Sequence, residues 1–74
     1  MTVTLARRWP SPAESEVVAQ LARERSSAEI AINLGLSRSA VESRLRSATE
    51  RLGLTSRDAL RQWAVAHAPM LPGV

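Results

Sequence analysis

Apolar residues recur at helical spacing in four stretches of this chain, and short polar connections separate the stretches. Val17, Val18 and Leu21, flanked by Ala13 and Ala22, predict a first helix over 12–25. Ile30, Ala31 and Leu34 predict a short second helix over 27–34. Val41, Leu45, Ala48 and Leu52 fall at i, i+4, i+7 and i+11, one narrow stripe along a third helix over 38–52. A fourth helix over 56–67 has Leu60, Trp63, Ala64 and His67 on one side, and Ala59 and Ala66 beside Trp63 add a smaller apolar strip. The pattern therefore predicts an all-α domain over 11–67, with 1–10 as a short arm and 68–74 as a C-terminal tail that is loose over 70–74.

Boundary residues agree with the periodicity. Ser11-Pro12-Ala13-Glu14 and Ser26-Ser27-Ala28-Glu29 are capping boxes, in which a serine hydroxyl and a glutamate three residues on satisfy each other's backbone N–H groups. Gly35 ends the second helix, Leu36 plugs the core from the turn, and Ser37 caps the third helix. Only three or four residues then separate the second and third helices, the tight connection of a helix-turn-helix. Gly53 stops the third helix, Thr55 with Asp58 offers a weaker cap for the fourth, and Pro69 blocks its continuation. Winding the third helix places Ser39, Glu42, Ser43, Arg46 and Glu50 opposite its apolar stripe, with Arg44 and Arg51 on a flank.

The 74 residues amount to one small domain without cysteine, so stability must come from helix packing or from self-association. All 10 basic residues are arginine against 7 acidic ones. Codon usage in a GC-rich genome accounts for most of that bias, yet a net charge of +3 permits a polyanionic partner. Two tryptophans and no other Phe, Tyr or Trp argue against a stacking platform for single strands or RNA, leaving duplex DNA. No segment has the length of a membrane span or the apolar core of a secretory signal, which predicts a cytoplasmic protein with no membrane partner. Nine serines share one His and one Asp, so no base-plus-orienter set is available and neither an enzyme, a metal site nor a cofactor is expected. His67 reads as a residue that stabilises a helix C-terminus.

The strings Ser11-Pro12-x-Glu14-x-Glu16-Val17-Val18, Ser26 with Glu29-Ile30-Ala31-x-x-Leu34, Ser37 with Val41, and Leu52-Gly53-Leu54-x-Ser56-Arg57 together resemble the LuxR/GerE family of bacterial transcription factors over residues 9 to 67. The resemblance implies a four-helix domain whose third helix enters the DNA major groove while the second crosses the backbone and the fourth makes a homodimer. It places Glu42, Ser43 and Arg46 at base edges, where Arg46 can grip guanine O6 and N7 and Glu42 can accept from cytosine N4. Phosphate contacts are expected from Ser26, Ser27, Ser37, Arg38, Ser39, Arg44 and Arg57, with Arg51 a further candidate, and a dimer interface from Ala59, Trp63 and Ala66. Glu24, Ala28, Ala40, Arg44 and Ser47 stand where the family usually has Gly, Lys, Thr, His and Asn, which rearranges or weakens phosphate contact. Two other readings remain. Ala40-Val41-Glu42-Ser43-Arg44-Leu45 also resembles the recognition helix of sigma-factor region 4, which would bring RNA polymerase in as a partner. Alternatively, the fourth helix could pair with a larger LuxR-type regulator and redirect it.

Overall fold

The computed structural model of the protein describes residues 9–72. Its helices are α1 (Pro12–Ala22), α2 (Ser27–Leu34), α3 (Arg38–Arg51) and α4 (Arg57–Ala66), followed by a 3-10 turn over Ala68–Met70. There is no strand among the described residues, and none of these helices is long and apolar enough to cross a membrane. Each helix starts at a serine. The hydroxyls of Ser11, Ser26, Ser37 and Ser56 accept from the backbone N–H of Glu14 (3.2 Å), Glu29 (3.2 Å), Ala40 (3.0 Å) and Ala59 (3.1 Å). Glu14 and Glu29 return the contact by accepting from the Ser11 and Ser26 N–H groups at 3.0 and 2.8 Å, so both expected capping boxes are closed. The cap of α4 is Ser56 rather than the expected Thr55, and α4 accordingly begins at Arg57.

The first helix stops three residues short of the expected Arg25. Arg23 leaves helical geometry, and Glu24 takes a φ of +60° in the left-handed region, so the Arg23 and Glu24 N–H groups close the last turn on Gln20 and Leu21. Apolar periodicity did not reveal this stop, because the residue that adopts the glycine-type conformation is a glutamate. A side chain there costs about 1–2 kcal/mol relative to the right-handed conformation, and glycine avoids that cost at some expense in unfolded-state entropy. Glu24→Gly is therefore expected to stabilise the domain by about 0.5–1 kcal/mol, while Glu24→Ala should give no gain. Thermal melts of the two variants check this, and equal melting temperatures would exclude strain at Glu24. At Gly35 and Gly53, where φ is +68° and +72°, glycine makes the corresponding turns without strain.

Helix α1 packs chiefly against α3 and α4, and α2 packs against α3. Val17, Val18, Ile30, Val41, Leu45, Ala48, Leu60 and Ala64 lose all solvent contact, with Leu21, Leu52 and Ala31 nearly so. Ala13, expected to flank this core, is exposed, and Ala19 is buried in its place because α1 is covered from two sides. The segment after α4 is not loose throughout. The 3-10 turn redirects the chain so that Leu71 docks in the core with 6% of its surface exposed. A single anchoring leucine has no periodicity to announce it. Of the expected arm, residues 1–8 lie outside the described residues, Pro10 is buried, and Trp9 packs against the core.

Candidate nucleic-acid interface

Helices α2 and α3 are joined by Gly35, Leu36 and Ser37. The left-handed Gly35 turns the chain, the Leu36 N–H donates to the Ala31 carbonyl at 2.9 Å, and the half-buried Leu36 side chain packs on the core as expected. This short connection sets the angle at which α3 leaves α2. Because Val41, Leu45, Ala48 and Leu52 face inward, the opposite side of α3 must face solvent, and Ser39, Ser43, Arg46 and Glu50 are exposed there. Helix α3 carries four arginines and two glutamates, so its own charge favours an anionic surface.

Glu42 does not stand free on that face. One carboxylate oxygen accepts from the Ser27 hydroxyl at 2.5 Å, and the other accepts from Arg57 Nη2 at 2.6 Å. Ser27 and Arg57 are the first residues of α2 and α4, so this one side chain joins the starts of two helices to the second turn of α3. Hydrogen bonds from Ser27 and Arg57, with the fields of Arg57 and Arg38, hold the Glu42 carboxyl below its ordinary value of 4.5 against a smaller opposing effect of burial. The residue expected to read a base and two residues expected to touch phosphate thus come together in one internal cluster.

The remaining expected site residues are arranged differently. Ser26 and Ser37 are exposed caps, Ser39 and Arg38 are exposed beside Ser37, and Arg44 is half-buried on the flank of α3. Arg38, Arg44 and Arg46 form no ion pair among the described residues. Arg46 and Arg57 line one open cleft of about 350 Å³ between α3 and the loop entering α4, with Thr55 and Ser56 on its wall. Arg51 is paired in the free domain: its Nε and Nη2 donate to the two oxygens of Glu14 at 2.9 and 3.4 Å.

Two structural roles were not visible in the sequence. Glu14, read only as a helix cap, is nearly buried and also accepts from the Ser47 hydroxyl at 2.8 Å. Burial alone would raise its pKa, but hydrogen bonds from the Ser11 N–H, Arg51 and Ser47, aided by the Arg51 charge, outweigh burial and hold it below 4.5. Gln20 accepts from Arg25 Nη1 at 2.6 Å and from Asn33 Nδ2 at 3.1 Å, tying α1 to α2. Neither set of partners could be inferred from spacing within one helix.

On α4, Ala59 is half-buried and Ala66 exposed, while Trp63 is half-buried against the core of its own chain. The indole stacks on His67 with centroids 4.1 Å apart and meets Trp9 edge-on at 5.1 Å. His67 Nδ1 lies 2.7 Å from the Trp63 carbonyl and donates to it, consistent with its expected place at the helix end. Part of the Trp63 surface is therefore satisfied within one chain.

Comparison with family profiles finds a match over residues 11–64 to the family described as GerE, bacterial regulatory proteins, luxR family. The matched span runs from the cap of α1 through most of α4. No curated protein and no solved structure matches the chain.

Proposed function

Since the chain belongs to the LuxR family of bacterial regulatory proteins, we propose that it is a sequence-specific double-stranded DNA-binding domain of a cytoplasmic transcriptional regulator. The observation that carries this reading is the outward face of α3, where Ser39, Ser43 and Glu50 are exposed with an Arg46 that forms no ion pair among the described residues, on a helix held by the α2 turn. A groove-filling helix needs such a face, because bulky apolar groups would prevent approach and forked side chains must reach base edges. In this proposal Ser43 and Arg46 address bases directly, and Glu42 joins them in the bound state. Ser26, Ser27, Ser37, Arg38, Ser39, Arg44 and Arg57 serve the phosphates.

The proposal includes a homodimer through α4, formed around Ala59, the exposed part of Trp63 and Ala66. It is supported by the exposed Val65 and Ala66 at the end of that helix. Two-fold pairing would require an inverted-repeat site with half-sites about one helical turn apart. A second reading, pairing of α4 with a larger LuxR-type regulator, is favoured by Ala28 at the start of α2 and by the ion pairs that Arg51 and Arg57 make with Glu14 and Glu42.

Titrating a labelled duplex with the protein at several salt concentrations tests the choice. A DNA-binding dimer should show log K falling with log salt at a slope of about −5 or steeper, with two copies per duplex. No binding to duplex even at low salt, together with tight association to a second regulator, would select the other reading.

A further inference from the structure

We propose that Glu42 is a specificity-determining residue that stands in for a phosphate in the free domain, holding Arg57 and Ser27 until DNA exchanges the carboxylate for a backbone phosphate. The inference rests on the DNA-binding reading above. A carboxylate and a phosphodiester both offer two charged acceptor oxygens, and Glu42 occupies both of its own with Ser27 at 2.5 Å and Arg57 at 2.6 Å. Those donors begin α2 and α4 and are the groups that a phosphate crossing these helix starts would engage. The side chains of Glu42 and Arg57 are 38% and 44% exposed, so exchange needs only side-chain rotation and leaves the core closed.

The exchange has two consequences. In the free domain the Arg57 charge is neutralised next to the groove-facing helix, which lowers attraction to DNA of any sequence. Once Arg57 and Ser27 turn to phosphate, Glu42 is left negatively charged against the groove, where only an amino donor on a base edge, such as cytosine N4, can satisfy it. A site without that donor leaves a carboxylate unpaired among phosphates. The discrimination thus comes from an element that penalises wrong sites, as well as from the contact that rewards the right one.

The test is a double-mutant cycle read by anisotropy on a labelled 20-base-pair duplex of random sequence. Glu42→Gln should bind it about 3- to 10-fold more tightly than wild type, because Arg57 no longer has to leave a carboxylate to reach phosphate. In an Arg57→Ala background the same substitution should gain less than about 2-fold, because no arginine remains to be released. Far-UV circular dichroism checks the fold of each variant, and Arg57→Gln, neutral and closer in size, replaces Arg57→Ala if that protein loses helix. An equal gain in both backgrounds would reduce Glu42 to simple charge repulsion and overturn the proposal, as would no gain in either. Wild type and Glu42→Gln both failing to bind at the lowest salt would overturn the DNA-binding reading itself, and the proposal with it. Wild-type binding without a Glu42 effect would overturn the proposal alone.

Discussion

Glu14→Ala is expected to destabilise the domain by about 2–4 kcal/mol, a large part of the stability that a chain of this size can have. The carboxylate closes the α1 capping box and accepts from Ser47 and from Arg51 Nε and Nη2, at a side chain only 6% exposed. Breaking a fully buried ion pair costs about 3–5 kcal/mol. Arg51 is 45% exposed and can regain water when its partner is removed, which lowers the expected cost. The lost half of the capping box adds a fraction of a kcal/mol. Urea unfolding followed by tryptophan fluorescence reads the change.

The same site sets the response to acid. In the folded state the Glu14 carboxyl lies below 4.5, so its contribution is fully present above the unfolded value and is lost as pH falls through the folded one. Wild-type stability should fall steeply with decreasing pH below about 4.5, and Glu14→Ala should remove part of that dependence. A variant with wild-type stability and an unchanged acid profile would mean that the link between α1 and α3 contributes nothing.

Arg46→Ala is expected to reduce discrimination among duplex sequences by about 1–3 kcal/mol while leaving stability within about 0.5 kcal/mol of wild type. The two effects separate because Arg46 is exposed and forms no ion pair among the described residues, whereas the core stripe of α3 faces the other way. Selection from a randomised duplex library, compared between wild type and variant, reads the effect as loss of preference at one position in each half-site. A variant that selects the same sites with the same strength would mean that α3 does not read bases through this arginine.

Glu42 and Arg46 lie one helical turn apart on α3, yet they stand in different situations. Their shared direction follows from the 3.6-residue repeat and was legible in the sequence. That Glu42 is held by Arg57 and Ser27 while Arg46 remains available depends on where α2 and α4 bring their first residues. Trp63 shows the same division. Its side of α4 could be read from Leu60 and Ala64, but its stacking on His67 and contact with Trp9 required the folded chain.

Local patterning along the chain was enough for what is decided within about one helical turn: where α2 and α3 lie, that Val41, Leu45 and Ala48 of α3 and its C-cap Leu52 face the core, and the capping boxes at Ser11 and Ser26. These follow from local hydrogen bonds and from the period of the backbone, which neighbouring residues carry in full. Tertiary structure alone decided the partners of Glu14 at 33 and 37 residues' distance, those of Glu42 at 15 in either direction, and the docking of Leu71. The physical reason is that a charged side chain is several ångströms long and can turn to any donor that packing brings within reach. Its spacing along the chain therefore specifies which face it occupies, and the arrangement of the other helices specifies what it binds.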